Sequence, residues 1–202
     1  SDPKAVELVV KKAPEQIKEL VNWGVNFDRK DNGEFDLHRE GGHSEFRILH
    51  HKDDTGAEIQ RGLMEAVRNC PDITVKENHF AVEIITQHHR GARVTRRTPY
   101  IHCYGAYVLN QEKKKVDTYL SKVTVMCTGG CGAVYQTTTN PVIATGDGEA
   151  MVYRAKGTVA DMEFVQFHPT ALYHPGETHP AYLITEAMRG YGGILKLPNG
   201  NT

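Results

Sequence analysis

The stretch that decides the fold of this chain runs from residue 123 to residue 193: VTVMCTGGCGAVYQTTTNPVIATGDGEAMVYRAKGTVADMEFVQFHPTALYHPGETHPAYLITEAMRGYGG. It opens on the apolar run 123–126, which predicts a strand that ends at Thr128, Gly129 and Gly130. A strand that ends in glycines lets its backbone approach another chain or a ligand closely. This segment is therefore the first candidate for a ligand-binding loop.

Downstream, two glycines flank Asp147 in the sequence TGDG, just before the helix-forming run 149–155. Glycines at a helix start, with backbone N–H groups pointing outward, suit an anionic group such as a phosphate. The run 164–167 then predicts a strand that delivers His168 at its end. Finally, Thr185, Glu186 and Arg189 place a hydroxyl, a carboxylate and a guanidinium in one short segment. Such a set can bind anions and handle protons.

Taken singly, each of these motifs also fits a purely structural role, because TGG and GDG are typical of tight turns and a histidine before proline is typically structural. As a whole, the string resembles the flavoprotein family of succinate dehydrogenase, fumarate reductase and L-aspartate oxidase. The matching pieces are TGG at 128–130, TNP at 139–141, TGDG at 145–148, EFVQFHPTALYHP at 163–175 and TEAMRG at 185–190.

The resemblance implies FAD as a non-covalent cofactor and a dicarboxylate substrate. It places Thr128, Gly129, Gly130 and Asp147 along FAD, and the backbone near Phe80 and Ala81 at the adenine end. It also implies that His168 and Thr185 bind the substrate beside the flavin, and that Glu186 assists proton transfer or positions an arginine.

Glu40 lies in the sequence REGGHS at 39–44, which on composition alone reads as a solvated loop. Here it is similar to a motif of the L-aspartate oxidases. A carboxylate at this place could bind the α-ammonium group that distinguishes aspartate from succinate. We therefore expect oxidation of L-aspartate to iminoaspartate with O2 or fumarate as acceptor, in the quinolinate route to NAD. The alternatives are a succinate dehydrogenase or fumarate reductase flavoprotein and a non-catalytic α/β interaction module.

Composition fits a soluble globular protein: 24% of the 202 residues are charged, 39% are hydrophobic, and the net charge is −1. No signal peptide and no apolar run of the roughly 20 residues that span a bilayer is visible. The spacing of the four cysteines suggests no disulfide framework, so a cytoplasmic location is expected. The basic loop 87–99 lacks aromatic interleaving, which argues against nucleic acid.

The expected fold is mixed α/β, an incomplete Rossmann-like FAD-binding domain with a β-meander. Helical spacing predicts one helix from Pro3 and a second from Pro14, and a third ends near Asn69. Strands are predicted at 73–76, 80–86, 100–109 and 116–120. We assign residues 1–161 to part of the FAD-binding domain and 162–202 to the start of a substrate-capping domain.

The chain contains no GxGxxG turn, which opens FAD-binding domains of this kind. Compared with the resembling family it reads as an internal fragment, which we expect to be inactive alone and to self-associate or be marginally stable. Tyr191 stands where the family often has glutamate, which leaves one proton-relay carboxylate unassigned. No metal site is predicted, because the adjacent pairs 50–51 and 88–89 would point apart on a strand. Quinolinate synthase is the expected pathway partner.

Overall fold

The computed structural model describes residues 2–172, 174, 176 and 180–201. The chain divides into two compact units. The first contains the residues up to Val75 together with those from Thr185 onward, and the second runs from Lys76 to Ile184. This division by contact is a separate description from the predicted domain boundary between residues 161 and 162, which stays a prediction.

The first unit opens with a single long helix, α1, at Pro3–Asn22. The Asp2 carboxylate caps it by accepting a hydrogen bond from the Lys4 N–H at 2.9 Å. The predicted break at Pro14 is wrong, because the helix continues through that residue. Proline removes the hydrogen bond to the carbonyl four residues back. That carbonyl belongs to Val10, which is 65% exposed, so water can reach it.

A hairpin follows α1 in the first unit. Its turn lies at 31–33, where Gly33 has a φ of 85° and residues Arg29 and Phe35 form an antiparallel bridge around it. Strand β1 at Leu37–His38 then pairs antiparallel with β2 at Ile48–Leu49. The loop between these two strands carries the sequence REGGHS.

Helix α2 at Thr55–Asn69 is confirmed, and Glu58 fixes it to the chain that follows α1. The Glu58 carboxylate is 8% exposed and accepts hydrogen bonds from the Asn26 N–H at 2.7 Å and from Arg61 Nε at 2.7 Å. Arg61 Nη2 also donates to the carbonyl of Gly24 at 2.6 Å. The hydrogen bonds from Arg61, then that from Asn26, lower the pKa of Glu58 from 4.5 to about 2, although burial opposes the shift.

Glu58 predicts an acid-sensitive stability. Because folding depresses the pKa of Glu58, its stabilising contribution is complete above pH 4.5 and is lost as the pH falls towards about 2. We expect Glu58→Gln to lower the melting temperature at neutral pH and to flatten its pH dependence between these limits. Thermal unfolding monitored by circular dichroism measures both. Glu65→Gln, at an exposed partner of the same arginine, is the control and should leave the curve unchanged. Superimposable curves for Glu58→Gln and the original chain would contradict this account.

The second unit contains the predicted β-meander, which is confirmed. Strands β3 at His79–Thr86, β4 at Cys103–Asn110 and β5 at Lys115–Leu120 form an antiparallel sheet in that order. Helix α3 at Asp147–Arg154 lies against β3. Its Met151, 2% exposed, belongs to the core of this unit with Ile84, Ile85 and Ala144. A short helix, α4, at Ala187–Gly190 belongs to the first unit.

Three predicted strands do not form: 73–76, 123–126 and 164–167 have no regular structure. A strand persists only when its N–H and C=O groups pair with a neighbouring strand, and no described residue supplies that pairing here. Their apolar side chains are accordingly exposed, with Val123 76% and Phe167 89% accessible. Self-association through such surfaces stays a prediction. Within the described residues, no helix is long and apolar enough to cross a membrane.

Candidate functional site

The two glycine motifs of the second unit lie side by side. The Gly146 N–H donates to the carbonyl of Gly130 at 3.2 Å. Gly148 is buried, and a Cβ added there would overlap the Thr128 hydroxyl. A side chain at 148 would therefore have to displace Thr128, and the close packing of Gly148 on Thr128 joins the TGG and TGDG motifs.

Gly129 and Gly130 face open space. Among the residues that the structure describes, no atom would lie within 4 Å of a Cβ at either position. Gly129 has a φ of 73°, which favours glycine, whereas Gly130 is not among the residues with positive φ. The fold itself therefore gives no reason for glycine at 130. A ligand that packs against this backbone would give one.

Asp147 stands exposed at the start of α3, after Gly146 in the left-handed conformation. Its Oδ2 accepts a hydrogen bond from the Thr145 hydroxyl at 2.8 Å. Asp147 and Glu149 both lie in the first turn, where their charges already occupy the positive end of the helix dipole. A phosphate at this helix start, as the glycines suggested, is therefore disfavoured. The carboxylate of Asp147 instead suits the hydroxyl groups of a cofactor.

Helix α3 is fixed to the strand that carries Phe80 and Ala81. Arg154 Nε donates to Glu83 Oε2 at 2.6 Å, and its Nη2 donates to the carbonyl of Val82 at 3.3 Å. The β3–β4 register shifts between Ala81 and Glu83, so the arginine lies at an irregularity of the strand. These hydrogen bonds thus connect the helix that begins at Asp147 to the strand that carries the predicted adenine-end residues.

His168 is half-buried and held by its own loop rather than by the predicted strand. Its Nδ1 accepts a hydrogen bond from the Thr170 N–H at 3.3 Å. Thr170 is buried and donates its hydroxyl proton to the carbonyl of Ile184 at 3.1 Å. An Nδ1 that accepts leaves the proton of the neutral ring on Nε2, which can donate to a carboxylate oxygen. Of the surrounding motif, Tyr173 and Pro175 lie outside the described residues.

The first unit brings the Glu40 loop and the TEAMRG segment together. A Cβ on Gly190 would overlap the carbonyl oxygen of Arg39, and one on Gly41 would lie 3.2 Å from Arg189 Cβ. Glu186 pairs with the Arg189 guanidinium one helical turn later. Beside them lies a cavity of about 400 Å³, lined in part by Arg39, Phe46, Arg189 and Tyr191.

Glu40 and Glu186 are half-buried, whereas Thr185 is exposed and accepts a hydrogen bond from the Ala187 N–H at 3.3 Å. These three predicted substrate residues belong to the first unit, and His168 belongs to the second. The assignment of all four to one substrate site stays a prediction.

Sequence reasoning missed a cluster of histidines and aspartates at the base of the Glu40 loop. His50 and His51 both approach Asp28, with His50 Nδ1 3.2 Å from Oδ2 and His51 Nδ1 3.4 Å from Oδ1. The expectation that adjacent histidines point apart is therefore wrong at this pair. A hydrogen bond from the Lys52 N–H lowers the pKa of Asp28, burial opposes this shift, and the charges of the two histidines lower the pKa further.

Tyr191, in place of the family's glutamate, contacts His38 Nε2 through its hydroxyl at 3.2 Å.

An open glycine loop, an acidic helix start and a meander tied to that helix define a domain suited to a nucleotide cofactor. The model of the FAD binding domain family matches residues 1–202, and the chain belongs to this family. FAD is therefore its cofactor. The mixed fold class is confirmed, since the chain matches the FAD binding domain family and shares its fold with a quinol fumarate reductase.

The chain is also similar to L-aspartate oxidases of a plant and a bacterium. It is 46% identical over 200 residues to L-aspartate oxidase 2-b, chloroplastic, of Nicotiana tabacum, covering 96% of this chain and 30% of that protein. It is 46% identical over 204 residues to L-aspartate oxidase of Yersinia pestis, covering 99% of this chain and 37% of that protein. The chain thus spans about a third of the length of these relatives.

Two solved structures show the same backbone. A quinol-fumarate reductase with menaquinol molecules matches with a TM-score of 0.83 at 32% identity, over 98% of this chain and 31% of that chain. A mutant of E. coli quinol fumarate reductase matches with a TM-score of 0.81 at 31% identity, over the same shares of the two chains. The predicted resemblance to this flavoprotein family is confirmed.

Proposed function

We propose that this chain is part of an FAD-dependent L-aspartate oxidase of the length of its relatives, called the full-length enzyme below. The observation that carries the proposal is the packing of the Glu40 loop on the TEAMRG segment through Gly190. This contact places the backbone of the half-buried Glu40 next to the segment that carries Thr185 and Glu186. The similarity to L-aspartate oxidases supports the same substrate.

Bound FAD would supply the hydride acceptor for this oxidation, in which the α-carbon of aspartate would lose a hydride and the nitrogen a proton to give iminoaspartate. The open backbone of Gly129 and Gly130 would pack against the cofactor, with Thr128 beside them. Asp147 would accept hydrogen bonds from cofactor hydroxyls, and Phe80 and Ala81 would lie at the adenine end. We propose that these contacts bind FAD without a covalent bond.

The substrate residues divide by charge. His168 Nε2–H and the Thr185 hydroxyl would donate to substrate carboxylate oxygens, and Glu40 would bind the α-ammonium group. Glu186, paired with Arg189, would hold or pass a proton at its carboxylate.

Glu40 tests the choice of substrate. We expect Glu40→Gln in the full-length enzyme to lower kcat/KM for L-aspartate at least about tenfold, the scale of one lost charge-assisted contact. The rate with succinate, which lacks the ammonium group, should not fall. Steady-state assays with both substrates measure the two rates. Glu45→Gln, at an exposed residue of the same loop, is the matched control. Equal losses of kcat/KM with the two substrates would show that Glu40 does not bind the ammonium group.

The structural likeness to fumarate reductases favours a second candidate, a succinate or fumarate enzyme. A candidate of another class is a non-catalytic interaction module, which the exposed apolar side chains of the chain favour. For the oxidase we further propose O2 or fumarate as acceptor, a place in quinolinate and NAD biosynthesis beside quinolinate synthase, and a cytoplasmic location. The isolated chain would be inactive and would self-associate or be marginally stable.

A further inference from the structure

We propose that Asp36, His38 and His50 form a binding site for a divalent transition-metal ion such as Zn²⁺. One ligand atom from each of these residues lies within 4.8 Å of the others. The site is independent of the proposed oxidase activity, and it departs from the expectation that the chain binds no metal. It lies where β1 and β2 meet, at the base of the Glu40 loop.

His50 is the observation that points to a ligand. Its side chain is 8% exposed, and neither ring nitrogen makes a hydrogen bond to any described residue. Nε2 instead faces Asp36 Oδ2 across 3.6 Å. Buried polar atoms are normally satisfied by a partner, and an unsatisfied one calls for a water or an ion. A cation between His50 Nε2 and Asp36 Oδ2 would satisfy both groups.

A second carboxylate prepares His50 for this role. Asp28 Oδ2 lies 3.2 Å from His50 Nδ1, although the two atoms are not aligned for a hydrogen bond. A small rotation of the ring would let Nδ1 donate to this carboxylate, which would keep the proton on Nδ1 and leave Nε2 free to bind the ion. Asp28 is itself held by the Lys52 N–H at 2.7 Å.

The chemistry of the three ligands indicates which class of metal ion would bind. Two imidazoles and one carboxylate suit Zn²⁺ and related transition metals, whereas Mg²⁺ and Ca²⁺ prefer oxygen ligands alone. Three protein ligands leave a fourth position for water.

Binding also requires a rearrangement of His38. The rings of His38 and His50 are stacked, with centroids 3.3 Å apart and an angle of 20° between their planes. Stacked rings cannot both direct an in-plane lone pair at one ion, so His38 must rotate away from His50. Its side chain is 30% exposed, which leaves room for the rotation, and the rotation breaks its contact with the Tyr191 hydroxyl.

Calorimetric titration of the metal-free chain with Zn²⁺ tests the proposal, and visible absorption on adding Co²⁺ reports the coordination. We expect one ion per chain with a micromolar dissociation constant. Asp36→Asn and His38→Gln should each weaken binding at least about tenfold. Both side chains are partly exposed, so the variants should keep their fold, which the melting temperature without metal checks. His88→Gln, in the other adjacent histidine pair, is the control and should bind as the original chain does.

Two results would overturn the site. One is the absence of saturable Zn²⁺ binding in the micromolar range. The other is binding that survives both Asp36→Asn and His38→Gln, or that His88→Gln abolishes, because surface histidines would then account for it. Loss of binding in Asp36→Asn and His38→Gln, with unchanged melting temperatures, would support it.

Discussion

Replacing His168 with alanine in the full-length enzyme is expected to lower kcat/KM for L-aspartate at least about tenfold, the cost of one lost polar contact of ~1.4 kcal/mol. The expectation rests on the ring orientation. The Thr170 N–H occupies Nδ1, so Nε2 carries the proton of the neutral ring and can donate to a substrate carboxylate. Steady-state oxidation of L-aspartate measures the loss.

The control for His168 must separate substrate binding from loop structure. Alanine also removes the acceptor of the Thr170 N–H, so the flavin content and melting temperature of the variant are measured beside its rate. His102→Ala, at an exposed histidine of the same unit, should leave kcat/KM unchanged. An unchanged kcat/KM in His168→Ala would remove His168 from the substrate site.

Gly130→Val is expected to weaken FAD binding by the full-length apoenzyme at least about fivefold while leaving its melting temperature unchanged. A Cβ at 130 would meet no atom of the described residues within 4 Å, so this chain leaves space for the first carbon of the side chain. A cofactor that packs on this backbone leaves no such space, and forcing extra atoms into a packed contact costs about 1–3 kcal/mol. Titration with FAD, followed by flavin fluorescence, gives the dissociation constant.

Gly56→Ala is the matched control for Gly130, because a Cβ there also meets open space but in helix α2 of the other unit. It should bind FAD with unchanged affinity. Tight FAD binding by Gly130→Val would place the cofactor away from the TGG motif. A large fall in the melting temperature of its apoenzyme would show that glycine at 130 serves the fold.

Local patterns predicted the elements that make their own hydrogen bonds or pair with the next strand along the chain. Helix α2 and the meander follow from helical spacing and from alternation around turns. The runs 123–126 and 164–167 look equally strand-like, but a strand depends on a partner that a local pattern does not contain. The helix break predicted at Pro14 is wrong for another reason, since an exposed helix tolerates one missing hydrogen bond.

The site could be predicted from the sequence only where motifs are contiguous. TGG, TGDG and TEAMRG are short and identify their residues directly, although their contacts, such as Thr128 with Gly148, appear only in the fold. The cluster of Asp28, Asp36, His38 and His50 has no such motif. Its members come together because the hairpin and the β1–β2 pairing bring separate segments side by side.

Anaerobic mixing of the FAD-loaded full-length enzyme with L-aspartate tests the proposed oxidase most directly, since it observes hydride transfer without an electron acceptor. The proposal predicts that L-aspartate bleaches the visible band of the oxidised flavin within the time of one turnover, and that succinate at the same concentration bleaches it far more slowly. Bleaching by succinate, with no response to L-aspartate, would contradict the assignment and favour a succinate or fumarate enzyme.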